Sequence, residues 1–288
     1  MSDKNNQLPD LIIIGAQKCG TTSLHYYLSL HPQISMSHPK ELNFFLDESD
    51  WSKGNWHKGV EWYNSHFTGN AKIHGETSPN YTNYPQSRKV AERMFTLLPE
   101  MKLIYILRDP IKRIISQYIH ERERGKEDRT LADALVNQRN NEYIQRSMYY
   151  QQIAQYLNYF DPSNLLIITM ESLSSNCRQT MRQVFQFLGV NADFYSQKFI
   201  EKQHTSDKKK GKTPIGHFLE QRAFMQMIEH LFPRRGWKIK QLLLRPFLLD
   251  ILEPEMDAGM HAMLTELLQD DVNQLRKFTG RDFADWSI

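Results

Sequence analysis

Two cysteines, Cys19 and Cys177, in 288 residues exclude a disulfide-stapled scaffold and fit a reducing compartment. Thirteen glycines and twelve prolines are too few for a collagen-like or disordered chain. No apolar stretch approaches the ~18 residues a bilayer span requires. The opening MSDKNNQLPD lacks the apolar core of a secretory signal. Net charge is only +3, from 36 basic and 33 acidic residues, which argues against a broad nucleic-acid footprint. Internal repeats and low-complexity tracts are also missing. These absences predict a cytoplasmic globular protein that binds no nucleic acid.

Apolar residues make up 40% of the chain and charged residues 24%, enough to build a core without staples. Short β-branched runs alternate with segments of helical period. This predicts a three-layer α/β/α fold with a central parallel sheet and a P-loop-like phosphate-binding turn. The clearest strands are 11–14, 102–107 and 165–169, with weaker ones at 71–74 and around Ile34. Helices are predicted over 21–30, 86–98, 111–124, 147–160, 178–188, 215–231 and 264–278. No linker parts two cores, so 1–288 reads as one domain, with 1–9 flexible and the lysine-rich 203–214 a mobile loop.

LIIIGAQKCGTTSLHYYL reads as a buried strand, a turn bounded by Gly15 and Gly20, and a helix opening on Thr21, Thr22 and Ser23. Backbone N–H groups of such a turn and helix start converge on an anion. A nucleotide kinase sets its lysine directly after the second glycine. Here Thr21 holds that place and the lysine is Lys18, inside the loop, where it can meet charge developing on a bridging oxygen. The pattern GAQKCGTTS resembles the 5′-phosphosulfate loop of the sulfotransferases that use 3′-phosphoadenosine 5′-phosphosulfate (PAPS). The resemblance implies that Gln17, Lys18, Cys19, Gly20, Thr21, Thr22 and Ser23 grip this donor, with Lys18 also catalytic.

KLIYILRDPIKRIISQYIHER sets Arg108 at the carboxyl end of a buried strand, where open α/β sheets bind ligands, and Ser116 in the helix that follows. A guanidinium and a hydroxyl together can hold a terminal phosphate. The RDP…R..S pattern at Arg108, Asp109, Pro110, Arg113 and Ser116 resembles the 3′-phosphate site of the same family. Two such anchors select a nucleotide phosphorylated at both ends, which ATP is not. The strand before Arg108 ends in Leu107 and offers no acidic residue for magnesium.

Sulfuryl transfer needs a base for the acceptor's proton. The segment KELNFF resembles the KE..FF element of heparan-type glycan sulfotransferases, which implies Glu41 as base and Lys40 as a helper cation facing the substrate. His120 lies one helical turn past Ser116 and resembles a histidine of the N-sulfating members, a further catalytic candidate. HGETSPNYTNYP resembles the EKSPxY element and implies acceptor contacts at Glu76, Ser78 and Tyr81, although Thr77 stands where relatives acting on heparan carry lysine. KKKGKTP resembles the KGRxHP-type loop that closes over the nucleotide. It implies contacts from Lys210, Gly211, Lys212 and Thr213, with Lys212 in place of arginine and the histidine absent.

The expected reaction moves a sulfuryl group from PAPS to a hydroxyl or amine acceptor, releases adenosine 3′,5′-bisphosphate and needs no metal. A glycan or glycolipid stands slightly ahead of other lipid and small-molecule acceptors. Two alternatives stay open: a magnesium-dependent P-loop kinase or NTPase, and a non-catalytic sensor of the bisphosphate. Trp51, Trp56, Trp62, Tyr63 and Phe67 read as core packing before sugar stacking. The basic, leucine-rich segment 230–252 reads as a buried hairpin with snorkelling heads in preference to a peripheral membrane contact.

Overall fold

Five short strands pair edge to edge in the computed structural model, which describes residues 8–49, 51, 53–200, 210–212, 248–250 and 253–288. They are β1 (Leu11–Gly15), β2 (Ile34–Met36), β3 (Ile73–Thr77), β4 (Lys102–Leu107) and β5 (Leu165–Thr169). All pair in parallel, in the order β2-β3-β1-β4-β5. The connecting segments carry α1 (Thr21–Ser29), α2 (Gly59–Asn64), α3 (Val90–Leu97), α4 (Pro110–Glu123), α5 (Leu131–Ala134), α6 (Glu142–Gln145) and α7 (Tyr149–Leu157). After β5 come α8 (Met170–Ser175) and α9 (Cys177–Leu188), and near the C-terminus α10 (Ala258–Thr279). Strands β6 (Lys210–Lys212) and β7 (Leu248–Asp250) form a separate antiparallel pair, and β6 runs beside α4.

Side chains alternate across a strand, and here the alternation sorts the core into two layers. Ile12, Ile14, Leu103, Tyr105 and Leu107 pack with Met94, Ile153 and Val272, from α3, α7 and α10. Leu11, Ile13, Ile104 and Ile106 pack on the opposite side with Leu24 and Leu28 of α1 and Val184 and Phe185 of α9. This is the expected α/β/α layering. A third cluster joins Ile111 and Ile114 of α4 to Leu131, Ile144, Leu264 and Leu268, and so anchors α4 away from the sheet.

The start of α4 is fixed by Asp109, which is fully buried. Its Oδ1 accepts from the Ile111 and Lys112 N–H groups at 2.9 and 3.1 Å, with Pro110 at the first helical position. The Asp109 N–H donates to Glu171 Oε1 at 3.0 Å, and Oδ2 accepts from the Ser287 N–H at 2.9 Å. The chain therefore turns sharply from β4 into α4 directly after Arg108.

Several elements depart from the sequence reading. The strand expected at 71–74 runs from Ile73 to Thr77, because pairing with both β1 and β2 draws in His74, Glu76 and Thr77, none of which has exposed surface. The helix expected from 86 starts at Val90, since Asn83 and Ser87 close a turn first (Asn83 N–H to Ser87 Oγ, 3.0 Å). The helix expected from 147 starts at Tyr149, with the Ser147 hydroxyl taken up by Arg113 Nε at 2.7 Å. Residues 210–212, expected in a loop, form β6 instead. The remainder of 203–214, the helix at 215–231 and all but 248–250 of the basic segment lie outside the described residues.

Gly15 ends β1 with φ 156°, and a Cβ there would fall on Thr82 Oγ1 and within 3.0 Å of the Tyr105 ring. Thr82 Oγ1 also donates to the Ile14 carbonyl at 3.1 Å, so it has little freedom to withdraw. Overpacking of this kind costs about 1–3 kcal/mol. Gly15→Ala is therefore expected to lower the unfolding free energy by about that amount, read as a lower denaturant midpoint with an unchanged slope, and an unshifted midpoint would show that the turn has room.

Candidate active site

At the carboxyl end of β1 the chain enters the turn 16–20. Ala16 N–H donates to the Ile106 carbonyl of β4 at 2.8 Å, and Cys19 N–H donates to the Ala16 carbonyl at 3.2 Å. Lys18 holds φ 70° and Gly20 φ 89°, both left-handed. A lysine gives up about 1–2 kcal/mol to sit there, and the reward is a loop curled about its own amides. Helix α1 then opens with neither a side-chain cap nor an acidic residue in its first turn. Its first amides have no intrahelical partner, and the helix dipole adds positive potential at the same spot.

A cleft of about 1070 Å³ lies over this turn. Gln17, Lys18, Gly20, Thr21, Thr22, Ser23, Lys40, Glu41, Arg108, Ser116 and His120 all line it, although they come from four separate stretches of chain. Arg108 stands one residue past β4, and its carbonyl accepts from the Tyr149 hydroxyl at 2.7 Å. Among the described residues its guanidinium makes no hydrogen bond or ion pair. Ser116 is buried at the cleft edge on α4. His120, one turn on, sets Nδ1 3.7 Å from Glu123 Oε2.

Lys40 bridges the loop and the carboxylate beside it. Its Nζ donates to Thr22 Oγ1 at 3.0 Å, to Thr21 Oγ1 at 3.4 Å and to Glu41 Oε1 at 3.2 Å. Burial lowers its pKa, with Glu41 pulling the other way. Lys40 thus lies on the hydroxyls at the start of α1 and not out on an acceptor face. Glu41 keeps 44% of its side chain exposed, so an incoming molecule can reach its carboxylate.

Among the described residues, the side chains of Cys19, Glu76, Ser78 and Tyr81 do not line the cleft. The Cys19 thiol is fully buried in the core, 3.5 Å from the Tyr149 hydroxyl, and burial pushes it up to about 11. Only its backbone belongs to the turn. Glu76, Ser78 and Tyr81, read as acceptor contacts, are buried beneath the segment that carries Glu41. Ser78 Oγ accepts from the Asn43 N–H at 2.9 Å, and the Tyr81 hydroxyl accepts from the Phe45 N–H at 3.4 Å. They shape the 41–45 segment from below. Lys210, Gly211 and Lys212 are described as strand β6 beside α4, and Thr213 lies outside the described residues.

Arg146 went unnoticed in the sequence. Its Nη1 donates to Gln17 Oε1 at 2.8 Å, its Nε to Asn83 Oδ1 at 2.6 Å, and Glu142 Oε2 lies 3.4 Å from Nη2. It holds the loop glutamine from 129 residues away, a relation no local pattern announces. Of the aromatic cluster, Tyr63 and Phe67 are buried, with Tyr63 stacked on Phe44 at 4.2 Å, and Trp51 lines the cleft. Among the described residues no group of three His, Cys, Asp or Glu side chains is arranged to hold a metal ion, and no helix is long and apolar enough to cross a membrane.

The profile described as the sulfotransferase domain matches residues 8–240, most of the chain. The chain belongs to the sulfotransferase family. It is 43% identical over 116 residues to the membrane-associated sulfotransferase kil1 of Dictyostelium discoideum, covering 38% of this chain and 22% of that protein. It is 31% identical over 203 residues to the bifunctional heparan sulfate N-deacetylase/N-sulfotransferase 2 of Mus musculus, covering 64% of this chain and 22% of that protein. The chain thus spans about a fifth of the length of these relatives. A sulfotransferase crystal structure from Alicyclobacillus acidocaldarius superposes with a TM-score of 0.70 over 98% of this chain and 100% of that one, at 23% identity. Mouse sulfotransferase SULT7A1, crystallised with PAP, superposes with a TM-score of 0.53 over 95% of this chain and 89% of that one, at 13% identity. At these identities the likeness is one of fold.

Below the cleft of this sulfotransferase, neither carboxylate oxygen of Glu76 makes a hydrogen bond among the described residues. Burial pushes its carboxyl from 4.5 up to about 8, opposed by the nearby Tyr81 and Tyr63 hydroxyls and reinforced by Glu41. Between those two values the unfolded chain ionises Glu76 while the folded one keeps it protonated, so stability drains away as pH rises and levels off above the upper one. Glu76→Gln removes this contribution. Its stability relative to wild type should climb by a few kcal/mol between about pH 4.5 and 8. Denaturant unfolding at several pH values measures it, and a pH-independent difference would mean that Glu76 is ionised in the fold.

Proposed function

We propose that this sulfotransferase moves a sulfuryl group from PAPS to an acceptor hydroxyl or amine on a glycan, leaving adenosine 3′,5′-bisphosphate. The observation that carries the reading is the single cleft in which the 17–23 turn, the Arg108–Ser116 pair and the exposed Glu41 carboxylate meet. The residues present suit such a donor. A nucleotide anionic at both ends meets helix-start amides with Lys18 at one end and, at the other, a guanidinium unpaired among the described residues. The volume accommodates a nucleotide with part of an acceptor.

When bound, PAPS supplies an activated sulfuryl group on a phosphosulfate anhydride. Lys18 and the amides from Gly20 to Ser23 hold the 5′ end, and Lys18 meets charge building on the departing phosphate oxygen. Arg108 and Ser116 hold the 3′-phosphate. Lys40, fixed on Thr21 and Thr22, brings a second cation to the transferring group while keeping Glu41 oriented. Glu41 takes the acceptor proton. The glycan assignment is supported by the heparan sulfate N-sulfotransferase named among the relatives and by the KE..FF element. His120 is a second candidate for moving the acceptor's proton. We infer no metal requirement.

Calorimetric titration with adenosine 3′,5′-bisphosphate and with 5′-ADP, both with a chelator present, tests the donor site. Much tighter binding of the bisphosphate is expected, and Arg108→Ala should erase most of that preference. Equal or magnesium-dependent binding of the two would revive the kinase alternative. For the acceptor side, Glu41→Gln is expected to lower turnover by about a hundredfold or more with donor affinity nearly unchanged. Wild-type turnover in that variant would remove Glu41 as the base.

A further inference from the structure

Gln117 follows Ser116 on α4 and lines the cleft while only 3% exposed. Its Oε1 accepts from Nη2 of Arg113, one helical turn earlier. Arg113 has no exposed surface and does not line the cleft. Its Nε donates to Ser147 Oγ at 2.7 Å, and Nη2 also reaches the Tyr143 carbonyl at 3.3 Å. Among the described residues no carboxylate pairs with it, and Nη1 is unpartnered.

This arrangement fixes the orientation of the Gln117 amide. A guanidinium only donates, whereas an amide has one accepting and one donating end. The reversed amide would set N–H₂ against N–H₂ at a buried contact, at the full cost of leaving both donors unsatisfied. The oxygen must therefore face Arg113, and Nε2 becomes the free end. Among the described residues Nε2 has no partner, and it is not sealed from the cleft. A neutral N–H donor is thereby held at the cleft that Ser116 and Arg108 also line.

We propose that Gln117 is a specificity residue for the donor: its side-chain N–H bonds an oxygen of the 3′-phosphate beside Ser116, and Arg113 is the positioning residue that fixes the amide for it. This rests on the nucleotide reading above. The contact adds directional recognition without further charge. It distinguishes a 3′-phosphate from a bare 3′-hydroxyl by supplying a donor where the phosphate has an oxygen.

The test is calorimetric titration of wild type, Gln117→Glu and Gln117→Ala with adenosine 3′,5′-bisphosphate and with 5′-ADP, metal-free, alongside thermal melting. Gln117→Glu keeps an oxygen on Arg113 and removes the N–H donor, so it should melt no lower than wild type. In both variants bisphosphate affinity is expected to fall by about tenfold or more, the loss of a hydrogen bond to a charged group, with 5′-ADP affinity changed less than about threefold. Arg113→Lys added to Gln117→Ala should not lower the ratio of the two affinities further. An unchanged ratio in Gln117→Glu, whether both affinities fall or neither does, overturns the specificity role. A further drop on adding Arg113→Lys overturns the positioning role. Wild type without any preference for the bisphosphate overturns the nucleotide reading, and this inference with it.

Discussion

The parallel pairing of β1 with β4 at the middle of the sheet is the constraint on which the rest depends. The ladder runs from Leu11 opposite Lys102 to Ile13 opposite Ile104, shifts by one residue before Gly15, and passes on through the Ala16 N–H to the Ile106 carbonyl at 2.8 Å. Each strand releases its functional group just past this point, the turn 16–20 from one and Arg108 from the other. Both strands are buried on two faces, so a slip of one residue would exchange every side chain between the two cores. Backbone geometry, and not any bound molecule, therefore sets the separation of the loop and the arginine.

Around that frame several cations are held by neutral groups as well as by carboxylates. Lys40 rests mainly on threonine hydroxyls, Arg146 on a glutamine and an asparagine as well as Glu142, and Arg113 on a serine, a glutamine and a carbonyl. Hydroxyls and amides satisfy N–H donors without cancelling charge, beside the carboxylates of Glu41 and Glu142. Such a cleft focuses field on an anionic ligand. Two of the carboxyl groups nearby are treated in opposite ways: Glu41 keeps Lys40 beside it and open access, while Glu76 is buried, which pushes its carboxyl up.

How much of this was legible depended on the range of the interactions. The turn with its lysine displaced, the arginine at a strand end and the Lys40–Glu41 pair are local spacings, and the fold gathers them into one cleft. Glu76, Ser78 and Tyr81 belong to a motif just as recognisable, yet their side chains face inward, because β3 is an inner strand and the 41–45 segment covers it. The pattern gave their identity without their direction. The strand boundary at Thr77 was missed for a related reason, since polar residues ordinarily end a buried run and here the neighbouring ladders override that preference.

Sequence alone determined the alternation of strands and helices, the phosphate-type turn and the order of the motifs, since each is written in contacts a few residues apart. Tertiary structure alone decided which side chains of those motifs meet a ligand. Arg146 reaches Gln17 across 129 residues, and α4 turns Arg113 inward so that Gln117 presents a single end of its amide. Burial, charge and hydrogen-bond partners are properties of the neighbourhood a side chain folds into, and that neighbourhood is assembled from distant stretches of the chain.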